Sequence, residues 1–287
     1  MKDSSLKETV WLNGTFLPAD EARVSIFDRS FLYGDGLFET VRVYGNRPFL
    51  WAEHLARLHA GAALLRLRLP YGDAELSAAA AELLARNATP EALLRLHVSR
   101  GVGRRGYSPR GADSPTVILS QHPVTPNAPA APVTWKLATS SLRLPAHDPL
   151  TAVKSASKLL HILARAEAED QGADEALLLN SAGKVAEATS GNVFWLADGR
   201  LFTPSLTDGA LPGVTRAWVL RLAALLGLPA AERTATPADL RDAEGVFLTL
   251  SSLEVVPVPH LDGVALRQSP VTRRLHEAYQ ASVRQAA

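Results

Sequence analysis

Lysine is scarce in this chain, and one lysine stands where an amine could do covalent chemistry. The six lysines are Lys2, Lys7, Lys136, Lys154, Lys158 and Lys184. Lys154 lies in TAVKSASKLLHILA, just before a helix predicted to start near Ser157, where it can project from a strand end into a cleft. Partial desolvation would lower its pKa and let it form a Schiff base. The rival Lys158 falls in the first predicted helical turn, where exposure is expected, and an ordinary surface lysine is the alternative for Lys154.

A carboxylate follows in GKVAEATSGNVFW. Glu187 lies on the second strand of a predicted strand-turn-strand unit, after a turn at Gly183. A carboxylate that faces a pyridine nitrogen keeps that nitrogen protonated, so the ring becomes an electron sink. The alternative is a solvated glutamate on a strand face.

Two later segments could bind a phosphate group. Gly213-Val214-Thr215 precedes a strongly predicted helix, whose free N–H groups and positive dipole end favour an anion. Ser251 and Ser252 follow the strand GVFLTL and could complete a phosphate cup. A simple helix start and ordinary turn chemistry are the alternatives. Taken together and in this order, the lysine, the carboxylate and the two phosphate segments indicate pyridoxal 5'-phosphate (PLP).

The elements that must position these residues follow from the hydrophobic pattern. Hairpins are predicted to turn at Asn13-Gly14 and Gly45-Asn46. HLARLHAGAALLRL and DAELSAAAAELLARN have helical periodicity, whereas ALLRLHVSRG and PTVILSQH are typical of strands. Strands and helices also alternate beyond the linker-like segment QHPVTPNAPAAPVTW. The sequence predicts a mixed α/β (α+β) fold with an N-terminal domain over 1–122, a linker over 123–132 and a C-terminal domain over 133–287.

Composition bounds the class of function. Hydrophobic residues make up 47% of the 287 residues, which is typical of a packed globular protein, and the formal net charge is +1. This charge gives no reason to expect nucleic acid or an anionic membrane as partner. The absence of cysteine excludes disulfides, thiolate metal sites and a cysteine nucleophile. No apolar run has the length of a signal peptide core or a membrane span, so we expect a cytoplasmic protein. The eight histidines show no metal-ligand spacing, and no metal is expected.

The chain resembles the class IV (fold-type IV) PLP-dependent aminotransferases over nearly its whole length. The matching segments are SIFDRSFLYGDGLFETVRV, HLARL, VKSASKLLHILARAEAEDQGADEALLLNSAGKVAEATSGNVFW, LFTP, LPGVTR and VFLTLSSLEVVPV. The resemblance implies a smaller N-terminal α/β domain and a larger C-terminal domain, with the cofactor between them.

The same resemblance implies a role for each matched residue. Lys154 would bind the cofactor covalently and Glu187 would contact its pyridine nitrogen. Arg57 in HLARL would be a phosphate ligand, for which a guanidinium is well suited, although a surface arginine on an amphipathic helix is the alternative. The resemblance assigns the remaining phosphate contacts to three further residues, Val214, Thr215 and Ser251.

Within the family, LLRLHVSRGVGRRGYSPRG is most similar to the aminodeoxychorismate lyases, as is the NVFW segment. Branched-chain enzymes usually have a Tyr-x-Arg-Pro strand here, which this chain lacks. The resemblance implies elimination of pyruvate from 4-amino-4-deoxychorismate to give 4-aminobenzoate, a step of folate biosynthesis. That substrate carries two carboxylates, and Arg95 and Arg105 match the positions of basic residues near it in the lyases.

The substrate pocket is expected to include two residues of the LFETV strand. Thr40 matches a threonine frequent in the lyases, and Phe38 shares its side of the strand. Arg104 and Arg110 are expected to solvate the loop instead.

Two other functions stay open at this point. A D-amino acid or branched-chain aminotransferase would share the cofactor machinery, and a non-catalytic relative would keep only the fold. The family usually forms homodimers, and FDRSFLYGDG is predicted to be an interface or the edge of the active site. The alternative for that segment is core packing by Phe27, Phe31 and Tyr33. The expected partner is a small-molecule substrate, without nucleic acid or membrane.

Overall fold

A computed structural model describes residues 8–286, and the chain forms two compact units. The first comprises the chain up to Thr125 together with Val153–Lys158, and the second comprises Pro126–Ala152 together with Leu159–Ala286. The segment that carries Lys154 therefore belongs with the N-terminal unit, although it follows the predicted linker. The boundaries predicted from sequence stay a prediction.

The first unit is built on one antiparallel sheet of six strands, in the order β2-β1-β6-β5-β3-β4. Its elements are β1 (Thr9–Leu12), β2 (Thr15–Pro18), α1 (Arg29–Tyr33), β3 (Gly36–Tyr44), β4 (Arg47–Pro48), α2 (Trp51–Leu65), α3 (Asp73–Asn87), β5 (Ala92–Ser99) and β6 (Thr116–Pro123). Both predicted hairpins are confirmed. Their turns contain Asn13, Gly14, Gly45 and Asn46, all at positive φ, as a two-residue hairpin turn of this kind requires.

Alternation along β3 and β5 gives the sheet two different faces. Leu37 and Val41 of β3 are buried with Leu94 of β5 and with leucines of α2 and α3 in one hydrophobic core. Phe38 and Thr40, between them in sequence, are only half-buried and point to the other face. Each fully buried leucine contributes about 1.5–3 kcal/mol to this core. The helices thus cover one face, and the second face carries the predicted substrate residues.

The second unit contains two five-stranded sheets, β12-β11-β10-β13-β14 and β16-β15-β7-β8-β9. Its elements are β7 (Lys136–Leu144), a 3₁₀ helix (Pro149–Ala152), α4 (Leu159–Asp170), β8 (Glu175–Asn180), β9 (Val185–Ala188), β10 (Asn192–Ala197), β11 (Arg200–Thr203), a 3₁₀ helix (Leu206–Asp208), α5 (Val214–Leu225), β12 (Ala230–Glu232), α6 (Pro237–Asp242), β13 (Gly245–Leu250), β14 (Glu254–Pro257), β15 (His260–Leu261), β16 (Val264–Ala265) and α7 (Pro270–Ala286). Strands β7 and β8 pair in parallel and β8 and β9 in antiparallel fashion, so the unit mixes both kinds of ladder. The predicted mixed α/β fold class is confirmed.

In the part of the chain that the structure covers, every helix is too short or too polar to cross a bilayer. The N-terminal residues 1–7, on which the expected lack of a signal peptide partly rests, lie outside the described residues. The expected cytoplasmic location stays a prediction.

Candidate active site

Lys154 is held against β3 by backbone hydrogen bonds. Its backbone carbonyl accepts a hydrogen bond from the N–H of Phe38 at 3.0 Å, and the N–H of Ala156 donates to the carbonyl of Gly36 at 2.8 Å. The side chain is half-buried, and its amine lies 4.8 Å from the centroid of the Phe38 ring. Lys154 thus lies beside β3 rather than at the end of a strand. The rival Lys158 is also half-buried and precedes α4 instead of lying in its first turn.

A second cation contacts the same ring. The guanidinium carbon of Arg95 lies 4.0 Å from the centroid of Phe38, and burial lowers the pKa of Arg95. Thr40 is directly opposite Arg95 in the register of β3 and β5, and Phe38 is opposite His97. One sheet face therefore brings together Lys154, Phe38, Thr40 and Arg95, four residues predicted from sequence. A cation over an aromatic face is stabilised by about 0.5–2 kcal/mol.

Arg57 makes a two-pronged ion pair with Glu39, a residue of β3 that the sequence analysis did not identify. The Nε and Nη2 atoms of Arg57 lie 2.9 and 2.5 Å from the two carboxylate oxygens of Glu39. His54 lies on the same face of α2, three residues before Arg57, and its Nδ1 is 2.7 Å from the Glu39 carboxylate. In the sequence, the three-residue spacing of His54 and Arg57 in HLARL already indicated that the two side chains share one face of the helix.

Burial, hydrogen bonds and the positive charges of Arg57 and Lys154 set the electrostatics of this cluster. Burial alone would raise the pKa of Glu39, but hydrogen bonds from His54 and Arg57 outweigh it and lower that pKa to about 2. Burial also lowers the pKa of His54, and the charges of Arg57 and Lys154 lower it further, against the opposing effect of Glu39. Glu39 is therefore a carboxylate and His54 a neutral imidazole at pH 7. The two hydrogen bonds to Glu39 hold the guanidinium of Arg57 in a fixed plane.

Glu187 is on β9 in the second unit and is buried, so the solvated glutamate considered as an alternative is wrong. Its Oε2 accepts a hydrogen bond from the backbone N–H of Leu211 at 2.9 Å. The Nε2 of His161, on α4, lies 3.6 Å from its Oε1. His161 has a buried Nδ1 without a hydrogen-bond partner. The sequence offered only a lone helical histidine here, and no pattern marked it.

The start of α5 has the features of an anion site. Gly213 is the N-cap and no side chain caps the first turn, in which Val214 and Thr215 are the first residues. The hydroxyls of Thr215 and Ser251 lie 3.5 Å apart. A Cβ at position 213 would lie only 1.9 Å from the Oδ1 of Asn192, so any larger residue would have to displace that side chain. The amide of Asn192 also donates to the carbonyl of Leu211 at 2.9 Å.

Ser251 lies in the turn that joins β13 and β14, and this turn ends at a residue with unusual backbone geometry. Glu254 has a φ of 62° and is buried. Its carboxylate contacts the Nε2 of His276 at 2.9 Å and accepts from the amide of Gln280 at 2.7 Å. Two residues of α7 therefore hold the end of the turn that presents Ser251.

The loop arginines differ in their surroundings. Arg105 is exposed, as are Arg104 and Arg110, whereas Arg95 is half-buried on the sheet face. Arg100, at the start of this segment, is buried and donates to Asp35 and to the carbonyls at the end of α2. The structure thus gives a defined contact to Arg95 and places Arg105 on an exposed loop.

These observations fit a PLP phosphate and ring. In the second unit, the uncapped helix start and the two hydroxyls suit a phosphate dianion, and the buried Glu187 suits a protonated ring nitrogen. In the first unit, the oriented guanidinium of Arg57 suits a phosphate as well. Thr249, paired with Asn192 in the sheet, has a buried hydroxyl without a hydrogen-bond partner, so a polar atom near this helix start lacks an acceptor. Each unit, taken by itself, therefore carries residues whose chemistry suits PLP.

Comparison with known proteins assigns the family. Residues 36–261 match the family described as amino-transferase class IV. A protein of Methanocaldococcus jannaschii, provisionally named a branched-chain-amino-acid aminotransferase, is 36% identical over 273 residues that cover 94% of each chain. The D-alanine aminotransferase of Listeria monocytogenes is 31% identical, with 96% of each chain covered. The chain belongs to the class IV aminotransferases, and its cofactor is PLP.

Solved structures agree in fold. The T.th. branched-chain amino acid aminotransferase with pyridoxamine 5'-phosphate has a TM-score of 0.91 at 32% identity, covering 96% of this chain and 94% of that chain. A provisional 4-amino-4-deoxychorismate lyase of Legionella pneumophila has a TM-score of 0.85 at 27% identity, covering 92% and 96%. The predicted family and cofactor are confirmed. The names of the relatives favour the aminotransferase alternative over the lyase.

Proposed function

We propose that this protein is an aminotransferase that moves the amino group of an α-amino acid to a 2-oxo acid. The observation that carries the proposal is the position of Lys154 and Arg95 against one ring, that of Phe38. An α-amino acid offers an amine and a carboxylate on one carbon, which suits an amine-exchanging lysine and a carboxylate-binding arginine on one sheet face. Full-length similarity to proteins named as aminotransferases supports the same reaction.

The chemistry is divided between cofactor and protein. Bound PLP supplies an electron-withdrawing ring for the electrons of the bond that breaks at the substrate α-carbon. Lys154 would hold the cofactor through its aldehyde, and its amine would serve as the general base for the proton at the substrate α-carbon. Glu187 would keep a proton at the ring nitrogen. Arg57 would hold the phosphate as an oriented donor.

The remaining site residues bind and orient. Val214 and Thr215 offer first-turn N–H groups to the phosphate, and Thr215 and Ser251 add hydroxyls. Arg95 and Arg105 bind substrate carboxylate. Two residues line the substrate side of the sheet, Phe38 and Thr40.

A lyase acting on 4-amino-4-deoxychorismate is the second candidate. Thr40 faces Arg95 across the β3–β5 register, and Arg105 follows on an exposed loop, so a substrate with two carboxylates has two arginines to meet. Similarity to the Legionella pneumophila protein supports it. The two reactions share proton removal by Lys154 and differ in whether a leaving group departs.

The test is product analysis with the purified holoenzyme. L-leucine, L-valine and D-alanine are each supplied with 2-oxoglutarate, and 4-amino-4-deoxychorismate is supplied separately. We expect an amino donor to yield its 2-oxo acid, and Lys154→Ala to yield none. Formation of 4-aminobenzoate and pyruvate without amino transfer would establish the lyase instead. A protein that gains no visible absorbance with PLP would be a non-catalytic relative.

We propose further that the protein is a homodimer. Ile26, Phe27 and Phe31 of the predicted interface segment are exposed by 66%, 61% and 73%, so the core packing considered as an alternative for Phe27 and Phe31 is wrong. Contiguous exposed apolar side chains of this size typically mark a contact surface.

A further inference from the structure

One buried guanidinium holds the backbone of the loop that carries Arg105. Arg29, at the start of α1, is 3% exposed. Its Nη1 donates to the carbonyls of Gly106 and Ser108 at 2.9 and 3.2 Å, and its Nη2 donates to the carbonyl of Tyr107 at 3.2 Å. Three consecutive carbonyls of an irregular loop are therefore bound by a single side chain.

The loop also packs on the aliphatic part of Arg29. A Cβ at Gly103 would lie 2.9 Å from the Cδ of Arg29, so this position has room only for glycine. The hydroxyl of Tyr33 accepts a hydrogen bond from the N–H of Gly106 at 3.2 Å, and the Tyr33 ring meets the Tyr107 ring edge-on at 5.7 Å. Tyr107 itself is 87% exposed, so its ring contacts Tyr33 from the surface.

Arg29 is one of two buried arginines that share a single carboxylate. The Nε atoms of Arg29 and Arg100 both lie 2.8 Å from the same oxygen of Asp35. Burial alone would raise the pKa of Asp35, but its two arginine partners outweigh this and hold the pKa below its ordinary value. The two arginines differ in what else they hold: Arg100 donates to the carbonyls of Leu65 and Arg66 at the end of α2.

We propose that Arg29 is a positioning residue that sets the affinity for substrate carboxylate by fixing the loop that presents Arg105. The proposal rests on the function proposed above, in which Arg105 binds that carboxylate. A bidentate arginine–carboxylate pair requires a defined guanidinium plane. If the loop became ordered only when substrate binds, the conformational entropy that it loses would weaken the affinity for substrate. Arg29 orders the loop before substrate binds and so avoids this loss. The residues to which we assign cofactor contacts lie outside this loop, so we expect cofactor affinity to be independent of Arg29.

The experiment compares Arg29→Lys with Arg100→Lys in the holoenzyme. Lysine keeps the charge beside Asp35 but cannot reach three carbonyls. For Arg29→Lys we expect the KM for the amino donor to rise about tenfold or more, with kcat and the Kd for PLP each within about twofold of wild type. Arg100 also contacts Asp35, but it holds the end of α2 instead of the loop. Arg100→Lys should therefore leave the KM within about twofold of wild type.

Limited trypsin digestion reports on the loop without any activity measurement. The exposed Arg104, Arg105 and Arg110 are cleavage sites, and we expect faster cleavage there in Arg29→Lys but not in Arg100→Lys. Unchanged digestion and unchanged KM in a folded Arg29→Lys protein would overturn the proposal. If that variant does not fold, Tyr33→Phe removes the acceptor for the Gly106 N–H and must shift both readouts in the same direction, or the proposal fails.

The variant Arg105→Met separates this inference from the function on which it rests. If Arg105→Met raises the KM but Arg29→Lys changes neither the KM nor the digestion, Arg29 does not position the loop. The proposed function would then remain intact. Faster digestion in Arg29→Lys with an unchanged KM in both variants would show that the loop does not bind substrate, which overturns the assignment of Arg105 and the inference with it.

Discussion

Arg57 and Glu39 face each other through two parallel hydrogen bonds, at 2.9 and 2.5 Å, although one is on a helix and the other on a strand. Glu39 is 1% exposed, so its charge is compensated by its partners rather than by water. The pair fixes the plane of the guanidinium that we propose as a phosphate ligand. We therefore expect both stability and cofactor affinity to depend on the carboxylate of Glu39.

The first prediction concerns Glu39→Gln. Removing the charge leaves Arg57 buried beside a neutral amide, and we expect the free energy of unfolding to fall by about 3 kcal/mol at pH 7. The Kd for PLP should rise about tenfold or more because the guanidinium plane is no longer fixed. Chemical denaturation and a PLP absorbance titration measure the two effects.

The control for this variant is Glu82→Gln, which alters the exposed pair of Glu82 and Arg86 on α3. Exposed pairs contribute about 0–1 kcal/mol, so this change should be small and leave the Kd for PLP unchanged. Equal losses of stability in the two variants would contradict the importance assigned to the buried pair.

The second prediction is a pH dependence from His54. Its pKa in the folded protein is below the ordinary 6.5, so the unfolded chain takes up a proton first as the pH falls. The resulting stability is complete above pH 6.5 and is lost progressively below it, by at most about 1.4 kcal/mol per pH unit. We expect the free energy of unfolding to decline less steeply from pH 7 to 5 in His54→Gln than in wild type.

The control is His122, which is exposed. In His122→Gln the free energy of unfolding should change with pH as steeply as in wild type.

The regular elements of this protein could be predicted from sequence because their patterns are local. Asn13-Gly14 specifies its hairpin through positive φ, and the alternation in LFETVRV predicts a two-faced strand. The start of α4 was predicted near Ser157 but lies at Leu159, because Ser155 is bridged to Leu37 and the N–H of Ala156 donates to the carbonyl of Gly36. Helix periodicity alone does not reveal a tertiary hydrogen bond of that kind.

The site was predictable only as far as its residues follow motifs. Lys154 and Glu187 were identified from neighbouring sequence, whereas Glu39 and Arg29 became visible only with their partners. Glu39 contacts Arg57, 18 positions away, and Arg29 contacts a loop 77 to 79 positions away. Such contacts depend on tertiary packing, which a single sequence does not display.

The third prediction tests the phosphate site at the start of α5. A Cβ in Gly213→Ala would lie 1.9 Å from the Oδ1 of Asn192 and must displace that side chain, which also holds the Leu211 carbonyl. We expect the Kd for PLP to rise about tenfold or more, as measured by absorbance titration.

Gly72 is the matched control because it is also a glycine N-cap without a side-chain cap hydrogen bond. A Cβ there would meet only the Oε2 of Glu75 at an ordinary 3.6 Å, so Gly72→Ala should leave PLP affinity unchanged. Wild-type affinity in Gly213→Ala would argue against a phosphate at this helix start.

The fourth prediction tests the proposed homodimer. Phe31 is 73% exposed in the apolar interface segment, and a charge there would be desolvated in a subunit contact. We expect the wild type to have the mass of a dimer in light scattering and Phe31→Glu to shift toward monomer at micromolar concentration. Leu225, 81% exposed at the end of α5, provides the control, since Leu225→Glu should remain dimeric. A monomeric wild type would refute the proposal.

The fifth prediction separates the electronic role of Glu187 from cofactor retention. In Glu187→Gln an amide oxygen can still accept from the Leu211 N–H, now at 2.9 Å, so the local fold should persist. The charge that keeps a ring nitrogen protonated is lost, and we expect kcat to fall about a hundredfold while the Kd for PLP stays within about threefold. Glu169→Gln, which alters an exposed pair with Arg165, should match wild type in both values. If Glu187→Gln turned over at the wild-type rate, the carboxylate would serve only to hold the Leu211 backbone.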